Sequence, residues 1–263
     1  MAARSPLVNV MVNAAYKAAK GLIRDFGEVE QLQVSKKGPA DFVSQADLRS
    51  EQILKRELTK ARPDYGLLME EGGGAPGKDT ANRWVVDPLD GTLNFLHGIP
   101  QFAISIGVER EGEPYAGVIY NPITDELYWA EKGQGAHLNE RRLRVSARRK
   151  MEEALIGTGT PFLGHGDHPR FVRQAQAVMG KTAGIRRMGA AALDLAYVAS
   201  GRLDGFWEEP LNPWDICAGI VLVREAGGYV TEIGGGNAMM TSGSVLAAND
   251  QLHRPLGDIL RSA

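Results

Sequence analysis

Cysteine is almost missing from the chain: Cys217 is the only one in 263 residues. No disulfide can close within the chain and no thiolate cluster can hold a structural zinc, so a reducing, cytoplasmic setting fits. Long apolar runs are lacking too. Stretches such as 216–223 fall far short of the 18 or more residues that a membrane-spanning helix needs. Neither charge is in excess, with 30 Lys and Arg against 32 Asp and Glu. That balance supplies no global field to draw in nucleic acid, which is not favoured as the main partner. No segment repeats at a fixed period, which argues against a solenoid. What remains is an ordinary globular composition, 43% hydrophobic and 24% charged, able to bury a sizeable core.

The first 24 residues carry four basic and no acidic side chains, as a transit peptide would, but no apolar core segment follows. Leu7, Met11, Ala14, Ala15, Ala18 and Leu22 recur instead at helical spacing behind Ser5 and Pro6, predicting an amphipathic first helix. A second helix is expected over 45–61, opened by the Ser44-x-x-Asp47 start signal. Short strands are expected at 67–70 and 84–87, joined by a Gly-rich loop over 72–79. A β-meander follows, with strands at 102–109, 115–120 and 126–130. Beyond 154 helices and strands alternate: helices near 168–179, 190–200, 214–226 and up to 260, strands at 185–188, 203–207, 228–231 and 245–248. The whole chain, 1–263, reads as one α/β domain with a soft boundary near residue 150, between two halves sharing a cleft.

The most informative segment is Trp84-Val85-Val86-Asp87-Pro88-Leu89-Asp90-Gly91-Thr92-Leu93-Asn94-Phe95. An apolar strand delivers Asp87 to its end, Pro88 interrupts ladder pairing, and Gly91 permits a sharp turn, so two carboxylates can converge. A buried strand ending in two acids with no basic neighbour is costly unless a cation compensates. Oxygen donors without His or Cys select Mg²⁺ over Zn²⁺. If Thr92 opens a helix, the N–H groups of Gly91 and Thr92 face an anion at the same place. Carboxylates, metal and anion-binding amides together indicate phosphate chemistry. The plain alternative is a surface turn, since Asp, Pro and Gly are common turn residues. Asp215, in Trp214-Asp215-Ile216-Cys217-Ala218-Gly219, reads either as another such acid or as a helix N-terminal acid favoured by the dipole.

These two strings resemble the two signatures of the inositol monophosphatase family, W-x-[VI]-D-P-[IL]-D-G-T-x-N-F and W-D-x-[AS]-[AG]-G, in order and over a chain of fitting length. The resemblance implies a layered αβαβα sandwich of the inositol monophosphatase / fructose-1,6-bisphosphatase type and a homodimer. It also implies Mg²⁺-dependent, Li⁺-sensitive hydrolysis of a phosphate monoester. By the same resemblance Glu70, Asp87 and the carbonyl of Leu89 are ligands of one Mg²⁺, and Asp87, Asp90 and Asp215 of a second. Asp47 and Thr92 orient and activate the attacking water, while the amides of Gly91 and Thr92 hold phosphate oxygens. Glu208 meets a substrate hydroxyl, and Gly189, Ala190 and Ala191 line the alcohol pocket. Where the family has Gly-Glu-Glu, this chain has Met69-Glu70-Glu71.

The expected substrate is a small phosphorylated polyol, inositol 1-phosphate first. Fructose-1,6-bisphosphate, histidinol phosphate and a 3′-phosphonucleotide are rivals, because the signatures describe only phosphate and metals. A regulatory protein that binds RNA or another protein is the rival of a different class. Arg141, Arg142, Arg144, Arg148, Arg149 and Lys150 form a basic cluster, but no aromatic residue lies within it to stack on bases. Leu143 and Val145 alternate with the charges as on a half-exposed strand. His165, Asp167 and His168 fall in a Gly- and Pro-containing stretch and read as a polar surface loop. No nucleophilic constellation is visible: none of the five histidines sits in a motif, and Cys217 reads as core.

Overall fold

The computed structural model describes residues 3–28, 34–38 and 41–263. The elements run α1 (Pro6–Phe26), β1 (Val34–Gly38), β2 (Asp41–Ser44), α2 (Gln45–Ala61), β3 (Tyr65–Met69), β4 (Gly73–Ala75), β5 (Asp79–Asp90) and α3 (Thr92–Leu96). The meander follows as β6 (Ala103–Arg110), β7 (Glu113–Asn121), β8 (Glu126–Glu131), β9 (Gly135–Leu138) and β10 (Arg141–Arg142). The second half contains β11 (Leu155–Thr158), α4 (His168–Met179), β12 (Gly184–Arg186), α5 (Ala191–Ala199), β13 (Gly205–Glu208) and α6 (Pro213–Glu225). It closes with β14 (Tyr229–Thr231), α7 (Met239–Ser242), β15 (Val245–Ala248) and α8 (Asp250–Ser262).

Helix α1 starts where its sequence says it should: Ser5 Oγ accepts from the Val8 N–H at 3.1 Å and Pro6 fills the first turn. Its apolar stripe and that of α2 cover one face of an eight-stranded sheet ordered β10-β9-β8-β7-β6-β5-β3-β4, burying Trp84, Val86, Ile104, Ile106 and Val108. The opposite face, with Ile119, Tyr128 and Ala130, packs on α5 and α6. Those two helices also cover Phe206, Val245 and Ala247 of a five-stranded sheet ordered β12-β11-β13-β15-β14. The far side of that sheet packs on α4 and α8 through Trp207, Leu246, Val178 and Leu256. The layering is therefore αβαβα, as the sequence led one to expect.

Helix α6 is apolar all round because it is buried between the sheets. Two glycines let it lie close: a Cβ on Gly107 would meet Cys217 Sγ at 2.5 Å, and one on Gly117 would meet the Ala218 carbonyl oxygen at 2.5 Å. Cys217 is buried in this seam.

Some local expectations change. The Gly-rich loop contains a strand, β4, pairing antiparallel with β3. The first strand of the signature is longer than 84–87, since β5 runs from Asp79 to Asp90. The basic cluster is not an extended strand: only Arg141 and Arg142 pair, against Leu138 and His137. After Leu143 the chain leaves the sheet, and Val145 N–H bonds the Ala226 carbonyl at 3.1 Å.

Candidate active site

Residues three apart on an unbroken strand face opposite sides of the sheet. On β5, however, Asp87 pairs with Ser105 and Asp90 with Ala103, so three steps on one strand match two on its neighbour. The extra residue is a β-bulge around Pro88 and Leu89, and it turns both acids to one face. Asp87 Oδ1 accepts from the Leu89 N–H at 2.9 Å, which folds the bulge back on itself. Helix α2 braces it from behind, with Ser50 Oγ donating to the Pro88 carbonyl at 2.8 Å. Gly91 follows in the left-handed region at φ 87. A side chain there would meet the Gln101 carbonyl at 2.9 Å and Ala190 Cβ at 3.2 Å, so the turn that opens α3 is closed to anything larger than glycine.

The other acids arrive from helix starts and a strand end. Asp47 is the N3 residue of α2, and its Oδ2 accepts from the Ser44 N–H at 2.9 Å in a capping box. Its Oδ1 accepts from Thr92 Oγ1 at 3.0 Å. The same hydroxyl lies 3.1 Å from the Leu89 carbonyl. Asp215 is the N3 residue of α6 and caps Asn212 N–H at 2.7 Å. Glu70 follows β3, where its N–H bonds the Val86 carbonyl at 3.2 Å. Glu51 of α2 holds the next residue, its Oε2 accepting from Glu71 N–H at 2.9 Å. Asp90 Oδ2 accepts from Ala192 N–H at 2.9 Å, which ties the bulge to the start of α5. Ser50 and Glu51 escaped the sequence reading because their roles appear only once α2 is docked on β5.

These carboxylates repel one another. Burial first, then Glu70, Asp90 and Asp215, push the Asp87 carboxyl well above the usual range. Burial and Asp215 do the same to Asp90, with Ala192 N–H opposing. Asp194, which no motif flagged, is buried on α5 with its Oδ1 unbonded, and burial, Glu208 and Asp90 raise it as well. An all-oxygen, buried, strongly negative donor set fits hard divalent cations. Among the described residues no three acidic, His or Cys side chains already converge as a metal cluster.

Glu70, Asp215 and Glu208 line one open cavity of about 350 Å³. Glu208 ends β13 and lies over Gly159, where a Cβ would sit 1.7 Å from its Oε1. Burial and the nearby Asp215 push the Glu208 carboxyl up to about 8, with Arg187 opposing. Gly189 and Ala190 pack on the Gly91 turn, and Ala191 opens α5, largely buried beside it. Phe162 and His165, in the stretch read as a polar loop, line the same cavity. His168 there begins α4, capped by Asp167, whose Oδ1 accepts from Arg170 N–H at 3.0 Å. A larger cavity of about 500 Å³, between Gly66, Gly77 and Arg83, contains none of the site's acids.

Five alternating layers with carboxylates gathered at strand ends and helix starts define a phosphatase of the layered α/β type. The chain belongs to the inositol monophosphatase family, whose model matches residues 3–262. It is 58% identical over 259 residues to a protein of Rhizobium meliloti named inositol-1-monophosphatase, covering 98% of this chain and 97% of that one. It is 40% identical to the Escherichia coli K12 protein named Nus factor SuhB, over 94% of this chain and 92% of that one. Among solved structures, the extragenic suppressor protein suhB of Bartonella henselae superposes with a TM-score of 0.96 at 54% identity, covering 98% of this chain and all of that one. The family is generally metal-dependent, and no described helix is long and apolar enough to cross a membrane.

Proposed function

We propose that the chain hydrolyses inositol 1-phosphate to inositol and phosphate with Mg²⁺ as cofactor. The observation that carries this reading is the bulge on β5, which sets two buried acids on one face beside Asp215 and Glu70, with Thr92 bonded to Asp47 alongside. Glu70, Asp87 and the Leu89 carbonyl would hold one Mg²⁺, and Asp87, Asp90 and Asp215 a second. The two ions, when bound, supply the positive charge that lets a phosphate anion enter this acidic site and steadies the entering and leaving oxygens.

The chain's own residues do the rest. Thr92 Oγ1 orients a water toward phosphorus, and Asp47 Oδ1 takes the proton passed through that hydroxyl. The N–H groups of Gly91 and Thr92 meet phosphate oxygens. Glu208 bonds a hydroxyl beside the ester, and Gly189 to Ala191 set the alcohol side of the phosphate turn. The same reading places the protein in the cytoplasm as a homodimer and treats both sides of residue 150 as one domain sharing the cleft. The Arg141 to Lys150 cluster is partly engaged, since Arg148 pairs with Asp204 at 3.1 Å and Lys150 stands near Glu152 and Glu153, so nucleic acid remains secondary. The test is a panel of inositol 1-phosphate, fructose-1,6-bisphosphate, histidinol phosphate and a 3′-phosphonucleotide with Mg²⁺. Highest kcat/KM on any of the last three would replace the substrate.

A further inference from the structure

The cavity that contains Glu70, Asp215 and Glu208 extends to Phe162 and His165, and neither residue has a role in the chemistry described so far. The two face each other across a small hairpin. Phe162 N–H bonds the His165 carbonyl at 3.2 Å and His165 N–H bonds the Phe162 carbonyl at 2.8 Å, around a two-residue turn at Leu163 and Gly164. Gly164 takes the left-handed conformation such a turn needs, at φ 83. Their rings stack with centroids 4.5 Å apart, and Phe162 is 43% exposed.

The hairpin is fixed relative to Glu208. His168 Nε2 bonds the Phe162 carbonyl at 3.1 Å. Gly166 lies so close to Pro161 that a Cβ would meet it at 2.8 Å. Arg170, in the first turn of α4, pairs at 2.9 Å with Glu209, which in turn accepts from Ser244 Oγ at 2.8 Å. An aromatic pair is thus anchored to the strand end that carries Glu208.

We propose that Phe162 and His165 form a leaving-group subsite that receives the C–H face of a ring-shaped polyol, so that the enzyme prefers cyclic over open-chain polyol monophosphates. The inference rests on reading the site as a polyol phosphatase. Aromatic faces carry negative potential and accept the weakly positive hydrogens of a saturated ring, and His165 adds a ring nitrogen for an outer hydroxyl. The phosphate occupies the carboxylate end, Glu208 takes the hydroxyl next to the ester, and the ring reaches the hairpin. A volume of about 350 Å³ is near the lower limit of ordinary ligand pockets, about 300–1,000 Å³, so it suits one ring and a phosphate.

The experiment compares inositol 1-phosphate with glycerol 2-phosphate, whose ester is also on a secondary carbon with neighbouring hydroxyls but which has no ring. Phe162→Ala and His165→Ala are each expected to raise KM for inositol 1-phosphate roughly 3- to 10-fold, with kcat unchanged and glycerol 2-phosphate kinetics within about twofold of wild type. Phe162→Tyr keeps the aromatic face and is expected to retain the wild-type KM. Equal losses on both substrates, or no change on inositol 1-phosphate, overturn the subsite. A ring preference in wild type that survives Phe162→Ala retires the subsite alone. A wild type that turns over glycerol 2-phosphate as well as inositol 1-phosphate retires the subsite alone, and one that turns over neither retires the substrate reading and the subsite with it.

Discussion

Asp47 and Thr92, forty-five positions apart, meet through one hydrogen bond of 3.0 Å, while the other oxygen of the same carboxylate caps α2. Two readings of Asp47, helix cap and partner in hydrolysis, are therefore properties of two different atoms. Burial raises its pKa and the Ser44 and Thr92 bonds oppose that rise.

Thr92→Val separates the two roles, because it removes the hydroxyl and leaves the cap. Losing the hydroxyl's bond to the buried Asp47 is expected to cost about 1–3 kcal/mol in thermal melts, while kcat falls about 10²-fold. Asp47→Asn, which disturbs both, is expected to add about 0.5–2 kcal/mol of instability to the same loss of turnover. Near wild-type kcat in folded Thr92→Val would make the pair structural.

The raised carboxyls of Asp87 and Asp90 set a pH dependence of stability. A carboxyl whose pKa is higher folded than unfolded binds more protons in the native state, so stability declines as pH climbs from about 4 through the raised values. Metal-free protein should melt lower at pH 8 than at pH 5, and Mg²⁺ should restore more at pH 8. Asp90→Asn keeps an oxygen for Ala192 N–H and deletes one charge, so without metal it is expected to be more stable than wild type at pH 8. Its Mg²⁺-induced shift should shrink. Calorimetry with and without EDTA checks both, and metal-free stability that rises with pH would refute the account.

Glu208 can be displaced in two ways. Glu208→Gln alters the group itself, and Gly159→Ala places a Cβ where its Oε1 now lies. Each is expected to raise KM for inositol 1-phosphate roughly 10-fold or more and to leave KM for an aryl phosphate, which has no neighbouring hydroxyl, much less affected. Parallel changes on both substrates would assign Glu208 a purely structural part.

Metal removal gives the broadest check. Excess EDTA should abolish hydrolysis and Mg²⁺ should restore it, while Ca²⁺ should inhibit because it accepts looser, higher coordination than the octahedral shell of Mg²⁺. Li⁺ should also inhibit. Undiminished hydrolysis in EDTA would remove the metal from the proposal.

What was legible in the sequence was whatever local chemistry writes there. Ser5 and Pro6 marked the start of α1, Ser44 and Asp47 that of α2, and Trp84 to Val86 a buried strand. Strand β4 was not legible, since Gly73–Ala75 pairs through backbone alone and exposes all three residues. The bulge was not, because register belongs to β6 as much as to β5. Nor was the Phe162 and His165 wall: one aromatic among Gly, Asp and His looks like solvent-facing chain until Glu209 and Arg170 join it to β13. Asp194 and Glu51 carry no motif, and only docking brings them to the site.

The bulge on β5 makes length, rather than composition, the quantity this site must inherit. Leu89 contributes its backbone, so substitutions there that keep the core filled preserve the geometry. Loss of a single codon between Asp87 and Asp90 is different: it would keep both acids in the gene and, two apart on an unbroken strand, even on one face, but it would erase the bulge that folds the Leu89 N–H back to Asp87 and sets the Leu89 carbonyl beside Thr92. At Leu89 the spelling of the bulge is therefore secondary to its count of residues.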